Sequence, residues 1–353
     1  MIQSLRLQNF RSYTDDSFEF GEGVTIIVGP NASGKTNLLE ALLVSCRGGS
    51  YRVKDSDLIK YDGPWARLDV ATDLGVRTTK LIPTLDGKVS KEFIITDKPI
   101  KRLGLQHSVP VVLFEPNHLQ LLHGSPEHRR DYLDDLLEQT TPGYATLRRS
   151  YKRTLAQRNR LLKLGPAHAG TQLFAWNIRL SQLGGELFEH RRALVKELAT
   201  GVQELYQSLS HSKAPVALTY VSTCSQDQYS SDMLHRLEQL TSRDFERGFT
   251  AYGPHRDDLV IELSGKQMAL SASRGETRTM LLALKILELQ NVESARGKKP
   301  VLLLDDVFSE LDGSRRRALT EVLRDYQTFI TTTDADVVVD HFMDTCTVVA
   351  LDS

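Results

Sequence analysis

The segment that most constrains this chain is Gly29-Pro30-Asn31-Ala32-Ser33-Gly34-Lys35-Thr36, which fits the pattern G-x-x-x-x-G-K-[ST]. Its glycines let the backbone wrap an anion, so that consecutive N–H groups and a helix N-terminus face it. That geometry demands a strand before the loop and a helix after it, and the flanks supply both. Val24 to Val28 is a buried-strand run, and Lys35 to Cys46 has the pattern of an amphipathic helix. Within such a loop Lys35 reaches the β- and γ-phosphate oxygens, and the Thr36 hydroxyl ligates Mg²⁺.

The remaining chain divides by pattern. Up to about Leu122 it is mostly short β-type runs punctuated by Gly, Pro and Asp, with one helix from Lys35. From Pro126 to Arg247 the character is helical. One helix follows the Ser125-Pro126 cap, a second runs from Tyr144 to Leu164, and a third from Thr171 to about Leu209, its apolar seam broken near His190-Arg191. The third predicts an arm on the order of 60 Å. Alternating strands and helices then return. These patterns predict one α/β domain split in sequence by a helical insertion lobe: residues 1–122 carry the phosphate loop, 123–250 the arm, and 251–353 the rest of the α/β domain.

The second half of a nucleotide site is visible downstream. Val301-Leu302-Leu303-Leu304 is an apolar strand ending in Asp305 and Asp306, where the first carboxylate would hold Mg²⁺ and the second would polarise an attacking water. Ser273-Arg274-Gly275-Glu276 opens a helix. Ser273 and Glu276 form a capping box, and the same helix N-terminus offers a second anion site.

In this order the pieces resemble the heads of ABC- and SMC-class ATPases. Gly29 to Thr36 is similar to Walker A, Ser273, Gly275 and Glu276 to the signature, Asp305-Asp306 to Walker B, and Ser309 to Asp312 to the D-loop. That class closes two heads over ATP, which implies an ATP-dependent homodimer with Ser273 acting in trans. Two positions depart from the class: Asp306 stands where Glu is usual, and Thr331-Thr332-Thr333-Asp334 replaces the switch histidine. The departures imply slow hydrolysis, catalysed by Lys35, Asp305 and Asp306 and used as a conformational switch.

Further segments resemble the RecF family of bacterial recombination mediators: Leu5 with Gln8 to Tyr13, Phe114-Glu115-Pro116, Gly124 to Asp134, and Gly253 to Leu259. The resemblance covers essentially the whole chain. It implies ATP binding by Arg11, Gly29, Pro30, Asn31, Ala32, Ser33, Gly34, Lys35, Thr36 and Asn37, with Mg²⁺ at Thr36 and Asp305. It also implies a cytoplasmic protein of DNA replication, recombinational repair and the SOS response, which binds DNA near single-strand gaps and helps RecO and RecR load RecA.

Charge at first argues against a nucleic-acid partner, with 44 Lys and Arg against 45 Asp and Glu. The total conceals a division. Between Glu138 and Glu186 there is no acid but eight basic residues, whereas residues 301–353 hold eleven acids and four arginines. Arg148, Arg149, Lys152, Arg153, Arg160 and Lys163 recur at helical spacings and are candidate DNA-backbone contacts. No apolar run is long enough to span a membrane. Cys46, Cys224 and Cys346 form no CxxC pair, which suits a reducing compartment. Two other functions compete with this reading, a transporter's nucleotide-binding subunit and a structural SMC-like tether. The long basic arm between the motifs fits the first poorly, and a single ~40-residue seam is short for the second.

Overall fold

The computed structural model describes residues 1–169, 172–334, 338, 342 and 346–351. The elements up to the arm are β1 (Ile2–Phe10), β2 (Tyr13–Glu19), β3 (Val24–Val28), α1 (Lys35–Arg47), β4 (Ala66–Thr72), β5 (Gly75–Pro83), β6 (Val89–Ile95), β7 (Lys98–Ile100) and β8 (Val111–Phe114). Next come α2 (Gln120–His123), α3 (Pro126–Thr140), α4 (Tyr144–Leu164), α5 (Pro166–Ala169), α6 (Gln172–Ser210), β9 (Val216–Val221), α7 (Tyr229–Gln239) and α8 (Thr241–Arg247). The chain closes with β10 (Asp258–Leu263), β11 (Lys266–Gln267), α9 (Met268–Ser271), α10 (Arg274–Arg296), β12 (Val301–Asp305), α11 (Gly313–Leu323), β13 (Thr328–Thr332) and β14 (Cys346–Ala350).

Two compact units result, Met1–Asn117 with Glu288–Ser353, and His118–Leu287. In the first, a parallel sheet in the order β14-β3-β13-β12-β8 faces an antiparallel sheet in the order β2-β1-β4-β5-β6-β7. Helix α1 packs against strands of both. Leu38, Leu39, Ala41, Leu42 and Val44 are fully buried there, so α1 is apolar on nearly all sides, as a helix between two sheets must be. Strand β3 has its first four residues buried, which matches its unbroken run of β-branched side chains.

The second unit holds α2 to α9, the start of α10, and the antiparallel sheet β11-β10-β9. Two expectations change here. The region from 126 to 247 is not wholly helical, because it includes β9. Residues 251–287, expected with the ATPase head, cluster instead with the helices, since β10 pairs antiparallel with β9 from Asp258–Val221 to Leu263–Val216. Sequence pattern marks a strand but not its partner.

The 39-residue α6 packs along α4, α7 and β9. At ~1.5 Å per residue it is close to the expected length. Residue 171, where it was expected to start, lies outside the described residues. Gly184 and Gly185 permit the close approach of α7: a Cβ at Gly185 would sit 1.9 Å from Ser230 Oγ. The helix continues through His190-Arg191, and the polar interruption in its seam has a structural cause. Arg191 is buried and donates from Nε and Nη2 to the Asp134 carboxylate (2.8 and 2.9 Å) and from Nη1 to Pro254 O (2.7 Å). Burial would raise the Asp134 pKa, but Arg191 and then Arg148 outweigh it and hold the carboxyl below its ordinary value.

The segment Gly253 to Leu259 is the counterpart of that node. Arg129 makes a paired contact with Asp258 (2.7 and 2.9 Å), and Arg130 Nη1 donates to Asp257 O (2.9 Å). The Asp257 carboxylate, 1% exposed, accepts from Thr223 N (3.0 Å), Tyr229 OH (2.9 Å) and Tyr220 OH (3.2 Å). His255 Nδ1 lies 2.7 Å from Tyr151 OH on α4, and its Nε2 lies 3.0 Å from Thr250 O. Two motifs distant in sequence are thus each other's hydrogen-bonding partners, and they join α3, α4, α6 and β10.

Candidate nucleotide site

The phosphate loop connects β3 to α1 within the first unit. Gly34 is the N-cap of α1 at φ 97°, a conformation that strains any residue with a Cβ, and Ala32 also lies at positive φ (69°). At Gly29 a Cβ would fall 2.6 Å from Leu351 O and from Ser33 Oγ. Lys35 folds back over the loop, its Nζ donating to Gly29 O and Pro30 O at 2.7 Å each. The buried Ser33 Oγ has no hydrogen-bond partner among the described residues.

Parallel pairing of β12 with β13 and of β13 with β3 brings distant residues to the loop mouth. Thr36 Oγ1 donates to Asp305 Oδ1 (3.0 Å), and Thr331 Oγ1 donates to the same oxygen (2.7 Å). Thr331 Oγ1 also accepts from Asp306 N (3.0 Å). Asp306 is exposed at φ 51°, and Ser309 Oγ donates to its carboxylate (3.0 Å). Thr331, which the sequence flagged only as replacing a histidine, orients both acidic residues. The available signal was its place at the end of the strand flanking β12.

Arg11 and Ser12 are the two loop residues of the β1–β2 hairpin, closed by the pair Phe10–Tyr13. Arg11 Nε donates to Glu40 Oε2 (2.9 Å), its Nη1 to Asp57 O (3.0 Å), and Asn37 Nδ2 to Ser12 Oγ (3.0 Å). Glu40 is wholly buried in α1, so this ion pair fixes the hairpin tip against the loop helix. Beside it opens a cleft of about 700 Å³ lined by Arg11, Asn37, Asp57, Lys60 and Tyr61. The ring of Tyr61 is 91% exposed there. Glu40, Asp57, Lys60 and Tyr61 were not foreseen; a lone aromatic in a polar loop is the faint trace they leave in sequence.

Arg11, Gly29 to Asn37, Asp305, Asp306 and Ser309 therefore meet in one place. Asp312 acts as the N-cap of α11, accepting from Arg315 N (3.0 Å). Ser273 and Glu276 lie in the second unit and form the capping box at the start of α10: Ser273 N donates to Glu276 Oε2 (2.8 Å) and Glu276 N to Ser273 Oγ (3.3 Å). Gly275 lies in the first turn of that helix.

The basic run on α4 separates into two groups. Arg149, Lys152, Arg153, Arg160 and Lys163 are exposed, and at 100° per residue they share an arc of about 100°. Arg148, expected to contact DNA with them, is turned inward with its side chain 13% exposed, ion-paired to Asp131 (2.7 Å), Asp134 (2.8 Å) and Glu138 (3.0 Å). That candidate is withdrawn, because four carboxylates, Asp135 at 3.7 Å among them, already surround its charge. Arg158 is fully buried on Asp244 (2.7 Å).

A parallel sheet carrying a phosphate loop after one strand and paired acids after another, with an antiparallel sheet across the loop helix, defines a P-loop ATPase head of the ABC and SMC type. The family model of the RecF/RecN/SMC N-terminal domain matches residues 1–351. Among relatives, the RecF of Acetivibrio thermocellus is 32% identical over 95% of this chain and 94% of its own. The RecF of Halalkalibacterium halodurans is 34% identical over 96% and 94%. The solved recombination mediator RecF with ATP has a TM-score of 0.84 at 29% identity, covering 94% of this chain and 92% of its own. An Smc head bound to the C-winged helix domain of ScpA, at 17% identity and a TM-score of 0.54, covering 96% and 91%, shares the fold. The chain belongs to the RecF/RecN/SMC family and, within it, to the RecF proteins.

Proposed function

We propose that this chain is an ATP-dependent DNA-binding protein of replication, recombinational repair and the SOS response, in which nucleotide acts as a switch. The observation that carries the reading is the convergence of Lys35, Thr36, Asp305 and Thr331 at the mouth of the phosphate loop. Lys35 and the loop N–H groups hold the β- and γ-phosphates, and Arg11, Asp57, Lys60 and Tyr61 line the cleft for the base and ribose. The donor set fits Mg²⁺. One hydroxyl and one carboxylate oxygen stand 3.0 Å apart, and among the described residues no three His, Cys, Asp or Glu side chains could hold a metal alone. A cation that keeps waters and substrate phosphates as ligands needs no more. The chemistry Mg²⁺ supplies when bound is neutralisation of charge between the β- and γ-phosphates.

Asp306, held by Ser309, is placed to orient water, and its short side chain suits slow turnover. Ser273 and Gly275 at the head of α10 act in trans on a second copy, so ATP drives homodimerisation. Arg149, Lys152, Arg153, Arg160 and Lys163 contact DNA phosphates near single-strand gaps. RecR and RecO are the expected partners, in loading RecA, on family grounds, and the cytoplasm the expected compartment. Among the described residues no helix is long and apolar enough to cross a membrane. Packing of α6 along its neighbours favours this switch over a structural tether, and family membership favours it over a transporter subunit.

The test is sedimentation of wild type, Lys35→Ala and Ser273→Arg with and without ATP. Wild type should dimerise, Lys35→Ala should lose ATP binding, and Ser273→Arg should bind ATP yet stay monomeric. A dimer of Ser273→Arg formed with ATP would contradict closure in trans.

A further inference from the structure

The first unit contains a second cavity of about 690 Å³ at the opposite end of the parallel sheet from the phosphate loop. Its lining includes Gly23 just before β3, Val109 and Pro110 before β8, Val301 at the start of β12, and Gln327 before β13. The nucleotide residues follow the other ends of these strands. From Val301 to Asp305 the chain advances ~13 Å at ~3.3 Å per residue, so the two sites are separate. The volume lies in the range of small-molecule sites.

Its walls are largely apolar, with Ile2, Ile95, Val109 and Pro110 among them, but one charged group is set into them. Arg77 on β5 donates from Nη2 to His107 O (2.6 Å), while its Nε is buried without an acceptor among the described residues. Among the described residues no carboxylate pairs with Arg77, and partial burial lowers its pKa. A half-buried guanidinium on an apolar wall with no carboxylate partner is stabilised by an anion that brings its own acceptor atoms. The rim points the same way. Asp73 is matched by the Met1 ammonium (2.5 Å), and Asp325 is held next to Lys299, whose Nζ donates to Asp325 O (2.9 Å). Lys298 and Arg324 make no ion pair among the described residues, which leaves three cations around the single carboxylate of Glu22.

We propose that this cavity is a binding site for an anionic amphiphile, an apolar body carrying one carboxylate, sulfonate or phosphate that accepts from Arg77. The proposal does not rest on the nucleotide reading. It is tested on the full chain by calorimetric titration with decanoate and with anilinonaphthalene sulfonate, using decanol as the neutral counterpart and repeating each titration with saturating MgATP. Both anions should bind one-to-one, unaffected by ATP. Arg77→Met should weaken them by about tenfold or more while leaving decanol unchanged, and Arg77→Lys should restore part of the loss. Should Arg77→Met fail to fold, the exposed pair Lys298→Glu with Arg324→Glu should weaken both anions at least about threefold. The proposal is overturned if neither anion binds at millimolar concentration, if decanol binds as well as decanoate, if ATP displaces the anions, or if the charge variants leave their affinity unchanged.

Discussion

Replacing Thr331 by Val removes a hydroxyl and little else, and it tests how the acidic pair is held. Thr331 is 1% exposed, donates to Asp305 Oδ1 at 2.7 Å and accepts from Asp306 N at 3.0 Å. Valine fills the volume but makes neither bond. A hydrogen bond to a carboxylate contributes about 1.5–3 kcal/mol and one to a neutral backbone N–H about 0.5–1.5 kcal/mol, so a loss of about 3 kcal/mol of stability is expected in urea unfolding. The functional effect should be separable from it. A group that orients a metal-binding carboxylate typically accounts for about 10–100-fold in metal affinity. Titration of ATP binding against Mg²⁺ should therefore shift by at least about tenfold to higher Mg²⁺ in Thr331→Val. Thr331→Ser should remain near wild type, since it keeps the hydroxyl. If Thr331→Val unfolds and titrates as wild type while Thr36→Val does not, Asp305 is held by the loop alone and the account of Thr331 fails.

Charge reversal of Arg149, Arg153 and Arg160 to Glu should weaken duplex binding and reduce the slope of log affinity against log salt by about 2.7, at ~0.9 per phosphate contact. Arg148→Ala should instead lower stability and leave that slope unchanged, because its ion pairs are internal; denaturation and salt titration together separate the two. Burial, reinforced by Arg256, Arg130 and Arg191, depresses His255 from 6.5 to about 4, although Thr250 O opposes the shift. The unfolded chain then binds the extra proton between those values, so His255 contributes stability above pH 6.5 that is lost as pH falls towards 4, at most about 3 kcal/mol. Unfolding curves across that range should show the loss, and His255→Gln should flatten it.

What was legible in sequence is what short-range pattern encodes. The strand, loop and helix around Gly29 to Thr36 follow from β-branched residues, two glycines and a helical apolar repeat within two dozen positions. Asp305 and Asp306 could be placed at a strand end for the same reason, and the capping box of Ser273 and Glu276 is a four-residue signal. Arg11 was found through resemblance, while its anchor Glu40 was not, because a buried acid on an apolar helix reads as an exposed one until its neighbours are known.

Tertiary structure decided which residues meet. Sheet order put Thr331 next to Asp305, and pairing of β9 with β10 moved residues 251–287 into the helical unit. It also sorted the basic run on α4. One arginine in that run faces four carboxylates, a second is fully buried, and five cations remain in water, although all seven lie within sixteen positions of one helix. Composition and spacing count charges, but a charge is available to a partner only where the fold has left it unpaired, and that depends on residues far away along the chain.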